Sequence, residues 1–474
     1  MANGIYYVED NNGTPFARIT AAINAAHADG GGKVVLSNIT YCISQSLTLY
    51  SNITFSGVGP SSVIHCTADV PIIQIDRSSS SYIQISDMLL RYSTDMNTTT
   101  HFHVEADRPL NLKIIGVTFN GEGRNNSGVL TWDALSGDKE QPILIDDNHP
   151  DQAYMTHIEN CLFGGASIWL NDSDSRIVNN YIWANSPTTN NLDFAIRLSN
   201  GAVNISGNDI VPGNRAGVYL APTCKGIRIE NNYFDGSWDN VYTGWGTYVD
   251  RSTQILILGN VFMKLYQGGA YVVQAYQVNV SNNSFIEINR SGSSLTCYDV
   301  WVVSGPILST GHIIEGNLHM RSLTAGQNFA VCVNGNAQAS VINNSLLDWR
   351  ENGTDAYVKP PFYMWPDKYT IRRDNRVTNR VTGTYPYQFD EGEVTVPHNN
   401  STQTISVSFA QDFSAQNIVP KVQDIHINFV AALSNSSVVY SIWGVSNTGF
   451  NISVRPVDSS SSSSGVFCWR VSLQ

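Results

Sequence analysis

The segment IENNYFDGSWDNVYTGWGTY, residues 229–248, places two carboxylates close to several aromatic rings. Asp235 and Asp239 lie four residues apart, with Trp238 between them. Hydrolysis of a glycosidic bond needs one carboxylic acid that protonates the leaving oxygen and one carboxylate that attacks or activates water. An indole beside a carboxyl removes it from water and helps to keep it protonated. This segment therefore predicts acid–base chemistry on a sugar, with Asp235 and Asp239 as the first pair.

The alternative for Asp235 is a structural role, because Asp before Gly is typical of a tight turn. The two carboxyl groups should be ~5–5.5 Å apart for a retaining mechanism or ~6.5–9.5 Å apart for an inverting one, and neighbouring turns can supply either distance. Three other acids at or near the same face are reserve candidates: Asp193, Asp299 and Glu287.

The elements that would position these side chains follow from a repeat. A six-residue motif recurs along the chain. Its first and last positions are apolar, its third is Asn or Gly, its fourth is Asn, and its second and fifth are variable. The copies are IVNNYI (177–182), ISGNDI (205–210), IENNYF (229–234), ILGNVF (257–262), VSNNSF (280–285), IEGNLH (314–319, a near match) and VINNSL (341–346). The second Asn recurs every 23 to 34 residues, a period that fits one coil of a right-handed parallel β-helix. This Asn is predicted to serve as a left-handed turn residue and to stack its amide in a ladder.

The strand after each repeat can be aligned in turn, as SIWL (167–170), AIRL (195–198), GVYL (217–220), NVYT (240–243), AYVV (270–273), DVWV (299–302) and AVCV (330–333). The second and fourth positions are mostly apolar and are predicted to face the core, so the first and third should face outward. The third column then contains Trp169, Arg197, Tyr219, Tyr242, Val272, Trp301 and Cys332.

An outward stripe of rings suits the flat C–H patches of sugars. The predicted sugar-binding residues on or beside it are Trp169, Arg197, Arg215, Tyr219, Trp238, Tyr242, Trp245 and Trp301. Two alternatives remain open: the stripe packs against a neighbouring subunit or loop, or the register of the alignment is wrong.

Composition excludes several classes of function. The formal net charge is −12 and no basic patch is evident, which argues against nucleic acid as a partner. Seven cysteines without metal-ligand spacing predict buried free thiols in a protein assembled in a reducing compartment. No apolar run has the ~20 residues of a membrane span. The sequence predicts no membrane partner, no metal site and no cofactor.

The two ends of the chain differ from the repeat. Phe16, Ile19, Ile23 and Ala26 share one helical face, and a Gly run at 30–32 ends that helix, which should cap the solenoid. After about residue 397, alternating strands predict an antiparallel β-sandwich. The expected all-β division is a cap (1–45), a β-helix (46–350), a connector (351–396) and the sandwich (397–474).

The helix-and-repeat pattern of residues 14–350 resembles the pectate-lyase-like β-helices, especially bacteriophage tailspike depolymerases. The final pattern (Phe413, Pro420, Val422, Gly449, Phe450 and Trp469) is similar to the H-type lectin-like domains of phage tail proteins. The resemblance implies a homotrimer that is assembled in the bacterial cytoplasm and acts from the virion tail, in contact with other phage tail proteins. It also implies a bacterial surface polysaccharide, capsular or O-antigen, as ligand.

No catalytic motif comes with the resemblance. The Arg-rich signature of pectate lyases is missing, as are the paired-Asp and Gly-His-Gly motifs of polygalacturonases. Hydrolysis is the leading hypothesis. A lyase on the same scaffold is the second, although Arg197, Arg215 and Lys264 are the basic residues near the aligned face. A glycan-binding adhesin without catalysis is the third.

Overall fold

The structure is a computed structural model of the 474-residue chain. It has two compact units, Met1–Arg372 and Arg373–Gln474. The residues that it describes are 4–8, 13–79, 81–93, 101–121, 127–136, 138–143, 154–184, 192–236, 244–288, 297–305, 309–321, 328–335, 337–348, 362–365, 371–373, 375–379, 383–386, 389–396, 403–409, 420, 422, 425–429, 438–456 and 465–472.

The first unit opens with the predicted helix, Pro15–Ala28. Thr14 caps it, since its side-chain oxygen accepts a hydrogen bond from the backbone N–H of Ala17 at 3.2 Å, and Pro15 fits the first helical turn. The helix buries Ile19, Ile23 and Ala26, as its apolar spacing predicts. Among the described residues, two short 3-10 helices occur later, at Arg77–Ser79 and Ala134–Ser136.

Three parallel sheets follow, and each coil of the chain contributes one strand to sheet A, then to sheet B, then to sheet C. Sheet A contains Ile5–Tyr7, Gly32–Val35, Ile53–Ser56, Ser81–Ser86, Leu110–Ile115, Thr156–Glu159, Arg176–Val178, Asn204–Ser206, Arg228–Glu230, Thr253–Leu258, Tyr276–Ser281, His312–Glu315, Ala339–Ile342 and Ile371–Arg373. Sheet B contains Thr40–Ile43, Val63–Cys66, Leu89–Tyr92, Thr118–Asn120, Leu162–Gly164, Tyr181–Trp183, Asp209–Val211, Tyr233–Asp235, Val261–Met263, Ser284–Ile286, Leu318–Arg321 and Ser345–Asp348. Sheet C contains Leu47–Leu49, Ile73–Ile75, Val104–Asp107, Gly128–Trp132, Ser167–Leu170, Phe194–Leu198, Ala216–Leu220, Trp245–Asp250, Gly268–Val273, Cys297–Val303, Asn328–Asn334 and Phe362–Trp365. The predicted parallel β-helix is confirmed.

A buried asparagine ladder marks the turn between sheets A and B. Each side-chain amide donates to the side-chain oxygen of the Asn in the next coil at 2.9–3.0 Å, and the rungs are Asn180, Asn208, Asn232, Asn260, Asn283, Asn317 and Asn344. The left-handed backbone belongs to the residue before each rung, an Asn or a Gly with φ between 54° and 66°. The two roles that the sequence assigns to one Asn are therefore divided between two neighbours.

Phenylalanines stack inside sheet B, with Phe262 4.6 Å from Phe234 and 4.9 Å from Phe285 between ring centroids. Glycines of sheet C face these rings: a Cβ on Gly217 would lie 2.9 Å from Phe234 Cδ1. Each of these strands bends at the glycine, so that the glycine and the residue after it both face the interior. The bend interrupts the strict in–out alternation that sequence alignment assumes.

The second unit is antiparallel. Arg376–Asn379 pairs antiparallel with Gly383–Pro386. Sheet D contains Phe389–Val396, Gly465–Ser472 and Ile425–Phe429, and sheet E contains Gln403–Ser408, Gly449–Pro456 and Val438–Trp443. Residues of both sheets share one core: Val407, Phe409, Ile425, Phe450, Ile452, Val454, Trp469 and Val471. The predicted β-sandwich is confirmed, whereas the four-part domain boundaries and the trimer stay predictions.

Candidate functional site

Aromatic side chains line the outward face of sheet C. Strand pairing aligns Trp169, Arg197, Tyr219, Tyr248, Tyr271 and Trp301 from coil to coil. The outward positions of Trp169, Tyr219 and Trp301 agree with the alignment. Its register is wrong at two coils, where Tyr248 and Tyr271 take the places expected of Tyr242 and Val272. Val272 is fully buried because the bend at Gly269 shifts the alternation by one residue.

A second outward column begins the same strands, with Phe194, Trp245 and Tyr298. The two columns interlock: Trp245 stacks on Tyr271 at 4.9 Å, and Tyr271 on Trp301 at 4.7 Å. We call this surface the aromatic platform. Its partly exposed rings are Tyr219, Tyr248, Tyr271, Tyr298 and Trp301, and they pack against Phe194 and Trp245, which are only 6% and 8% exposed. Its five strands span about 19 Å at ~4.8 Å per strand.

Residues 138–143 lie at one end of the platform, and we call them the strap. Lys139 Nζ is 3.1 Å from Glu105 Oε1, and the Asn171 amide donates to the Lys139 carbonyl at 2.7 Å. Glu140 contacts Arg197, and this hydrogen bond holds the pKa of Glu140 below its usual value. Arg197 is only 6% exposed.

The guanidinium of Arg197 lies over the rings of Trp169 and Tyr219, 5.0 and 5.8 Å from their centroids. Trp169 also packs 5.2 Å from Phe102. These contacts place Arg197 and Trp169 in the packing beneath the strap, so the platform begins at Phe194 and Tyr219.

Charged groups on the platform lie close to groups of the opposite sign. Arg215 is over the Phe194 ring and 4.0 Å from Asp193. Asp250 accepts from Arg251 at 3.0 Å, and the Tyr219 hydroxyl is 3.4 Å from Asp250. Burial, reinforced by the charge of Asp250, raises the pKa of Tyr219 to about 12. The pKa values of Tyr248 and Tyr271 are also raised, chiefly by burial, so all three phenols stay protonated near neutral pH.

Two carboxylates lie on the outward face of sheet B. Asp235 ends the strand Tyr233–Asp235, and Asp209 begins the preceding strand and pairs with Tyr233. Residues two positions apart along a strand face the same side of the sheet, so the two acids share one face on neighbouring strands. Burial raises the pKa of Asp209, and the charge of Asp235 raises it further. We call Asp209 and Asp235 the acid pair.

Both acids of the pair are partly buried. Asp209 Oδ1 is inaccessible to solvent and has no hydrogen-bond partner among the described residues. Burial and the charges of both acids raise the pKa values of Tyr181 and Tyr233 beside them. Sequence reasoning missed Asp209, although ISGNDI places it directly after ladder residue Asn208, at the first outward position of a sheet B strand.

The platform and the acid pair flank one corner of the coil. Residues 212–215 alone separate the end of Asp209–Val211 in sheet B from the start of Ala216–Leu220 in sheet C. We call this region the B–C corner. Asp193 and Arg215 lie in it, and the backbone N–H of Arg215 donates to the Asp193 carbonyl at 2.9 Å.

The other predicted acids lie in different surroundings. The outward placement of Asp299 is wrong: it is 3% exposed, faces the interior at the bend of its strand, and is 2.9 Å from His319 Nδ1. Glu287 follows the strand Ser284–Ile286 and is 3.8 Å from Lys264. Asp239, Trp238 and Tyr242 lie outside the described residues.

Sheet A provides a comparison within the same solenoid. Its outward positions carry Lys113, His157, Arg176 and Arg228, with Glu159 and Glu230 alongside. Such a face suits an ordinary solvated wall. The rings of sheet C are therefore not a requirement of the fold.

The described residues contain neither a cluster of metal ligands nor a membrane-spanning helix. No group of three or more His, Cys, Asp or Glu there is arranged to hold a metal ion. No helix in the same ranges has the length and apolarity needed to cross a membrane.

Comparisons with known proteins bear on this fold. A family model described as "Right handed beta helix region" matches residues 143–306. The crystal structure of the Dettilon tailspike protein aligns over 99% of this chain and 94% of its own, with 13% identity and a TM-score of 0.59. The chain has a tailspike-like right-handed β-helix fold. The tailspike of E. coli bacteriophage HK620, in complex with a pentasaccharide, aligns over 98% of this chain and 90% of its own at 12% identity, with a TM-score of 0.53. No curated protein sequence matches the chain.

Proposed function

We propose that this chain is a depolymerase of the tailspike kind, which binds a bacterial surface polysaccharide, capsular or O-antigen, and hydrolyses its internal glycosidic bonds. The observation that carries the proposal is the aromatic platform, an outward face with five partly exposed rings, together with two carboxylates across the adjacent corner. Rings of this kind stack on the C–H faces of sugars, and the pentasaccharide bound by the HK620 tailspike supports a glycan as ligand.

The acid pair supports hydrolysis. Asp209 has the raised pKa expected of a general acid, and Asp235 is suited to activate water as the base. Water attacks the anomeric carbon and passes a proton to Asp235, while Asp209 gives its proton to the leaving oxygen. Asp239 remains a predicted contributor.

A lyase is less well supported. It needs a base such as Tyr, Lys or His, and a cation that neutralises the uronate carboxyl. The platform tyrosines Tyr219, Tyr248 and Tyr271 have raised pKa values and are poor bases. Arg215 and Lys264 lie near carboxylates of the protein itself.

Assembly and location remain part of the proposal. Homotrimer formation, action from the virion tail and contact with other phage tail proteins rest on the tailspike resemblance.

The test is depolymerisation of purified capsular and O-antigen polysaccharides, followed by size-exclusion chromatography and reducing-end assay. Asp209→Asn and Asp235→Asn should each lower the rate by about 10²-fold or more, as for a lost general acid or base. Asp174→Asn changes an exposed acid at another corner and should retain full activity.

Full activity in both acid-pair variants would refute the pair. Products with unsaturated-uronate absorbance would instead indicate a lyase. Binding without shortening of the glycan would indicate an adhesin. Trp301→Ala removes a partly exposed platform ring and should weaken binding itself, whereas Asp235→Asn should leave binding intact.

A further inference from the structure

Three described arginines lie on or beside the aromatic platform, and each is close to a carboxylate of the chain itself. The pairs are Arg197 with Glu140, Arg215 with Asp193, and Arg251 with Asp250. Arg197 is almost fully buried beneath the strap. Arg251 is held through two nitrogens, since its Nε donates to Asp250 Oδ1 at 3.0 Å and its Nη2 to Asp250 Oδ2 at 3.2 Å. The cations around the platform are therefore balanced by the protein before any ligand arrives.

Carboxylates act on both halves of the site. Burial raises the pKa values of Tyr219 and Tyr248 most, and the charge of Asp250 raises both further, by more than any one nearby arginine lowers them. At the acid pair, the charge of Asp235 adds to burial in raising the pKa of Asp209. The whole chain has a formal net charge of −12. A ligand anion would therefore be repelled during its approach, at the rings and at the acid pair.

Uncharged sugars find complementary groups on the same surface. The phenols of Tyr219, Tyr248 and Tyr271 stay protonated near neutral pH, so their hydroxyls can both donate and accept hydrogen bonds. A sugar hydroxyl can also donate to a carboxylate such as Asp250, which gives a charge-assisted hydrogen bond. A uronate, sialate or phosphate group would instead place two anions side by side. The carboxylates of the site thus favour hydroxyl groups and disfavour anions.

We propose that the glycan segment held by the aromatic platform and the B–C corner is uncharged, and consists of neutral hexoses, deoxyhexoses or N-acetylated amino sugars. This inference rests on the proposed function, because it names the class of polysaccharide that the same site takes. Polymers with a uronate, sialate or phosphate in every repeat are excluded. An uncharged segment has no uronate carboxyl beside the proton that a lyase removes, so hydrolysis is the reaction open to it.

The test uses the full chain and an array of purified neutral and acidic capsular and O-antigen polysaccharides, at about 10 mM salt, where the Debye length is ~30 Å. We expect neutral members alone to bind and to be shortened. A neutral member that binds is then oxidised at its primary hydroxyls, which adds carboxylates without changing its linkages, and we expect it to bind at least about tenfold more weakly. Asp250→Asn leaves Arg251 without its acid and should narrow this gap about threefold. Asp174→Asn is the matched control, because it removes one negative charge at another corner and should leave the gap unchanged.

The possible results separate this inference from the proposed function. Shortening of a polymer with an acidic sugar in every repeat would overturn the inference and leave the depolymerase standing. A gap that neither Asp250→Asn nor about 150 mM salt narrows would also overturn it, since a lost hydroxyl rather than charge would then explain the weaker binding. Binding of neutral members without shortening would refute the depolymerase and leave the preference for uncharged glycans in place. Binding of no member would refute both.

Discussion

Replacing the buried Asp299–His319 pair by Gly and Phe should convert that coil to the arrangement of the three coils before it. In those coils a bend glycine of sheet C faces a phenylalanine of sheet B: Gly217 and Phe234, Gly246 and Phe262, Gly269 and Phe285. His319 continues the stack, 5.1 Å from Phe285, and Asp299 occupies the glycine position and bonds its ring. The pair is therefore a polar substitute for one repeated apolar contact.

The single substitutions should both destabilise the protein. Asp299→Gly removes the hydrogen-bond partner of a buried imidazole nitrogen, at a cost of about 1–3 kcal/mol. His319→Phe leaves a buried carboxyl without its partner and brings the ring against the Asp299 side chain, at a cost of about 3–5 kcal/mol. The double variant has neither defect, and replacing a buried pair with apolar groups is often neutral or stabilising by about 1–4 kcal/mol. Because the two single costs add to at least about 4 kcal/mol while the double variant is neutral or more stable, we expect a coupling free energy of at least about 4 kcal/mol.

The measurement is a double-mutant cycle on the free energy of unfolding. Calorimetric Tm at one scan rate should be supplemented by unfolding rates in denaturant, because long repeat arrays do not always unfold in two states. The expected order of Tm places the double variant at or above the wild type and well above His319→Phe. A double variant as unstable as His319→Phe would show that the ring stack cannot extend into this coil, and the reasoning would be wrong.

Three other perturbations follow from the same contacts. Asn260→Ala should lower the free energy of unfolding, measured by chemical denaturation, by several kcal/mol, because the backbone N–H and the side-chain amide of Asn232 both lose their acceptor. Asn231→Gly, at a left-handed position, should change it little. Burial raises the pKa of Asp172 from 3.8 to about 7, so the folded state keeps a proton that the unfolded state has lost. As the pH rises between those two values, the free energy of unfolding should fall by about 1.4 kcal/mol per pH unit. In unfolding measured against pH, Asp172→Asn should abolish this slope, whereas the control Asp174→Asn should keep it. Glu140→Ala should speed limited proteolysis within the strap without lowering Tm, and an unchanged cleavage rate would contradict the role of its contact with Arg197.

The coil architecture could be predicted from sequence because its determinants are local and repeated. One coil needs a left-handed residue, a ladder asparagine and short apolar strands, and Asn231, Asn232 and Phe234 supply all three within four positions. Seven copies of this pattern identify the solenoid even when the intervals between them vary. The separate sandwich follows from a simpler alternation of apolar and polar residues.

The register of the outward face was harder to predict, because two consecutive inward residues occur at each bend of sheet C. The strand GGAYVV places both Gly269 and Ala270 inside, and strict alternation then exposes Val272 instead of Tyr271. Asp299 was misplaced by the same rule, since it occupies the bend position. Nothing in the local sequence distinguishes an acid at a bend from one on the surface. The distinguishing residue is His319, twenty positions later and across the interior.

The acid pair illustrates a second limit. Asp209 and Asp235 are separated by one coil in sequence, and they become neighbours only when sheet B is stacked in register. A window of twenty residues therefore favours Asp239 as the partner of Asp235, whereas stacking brings Asp209 to the same face. Stacking also explains why function would lie on outward columns: the interior must satisfy rings, glycines and the ladder in each coil, while an outward column is free to carry any chemistry. In sheet A that freedom leaves charges that water can solvate, in sheet C it leaves a column of aromatic rings, and in sheet B it leaves two carboxylates across the adjacent corner.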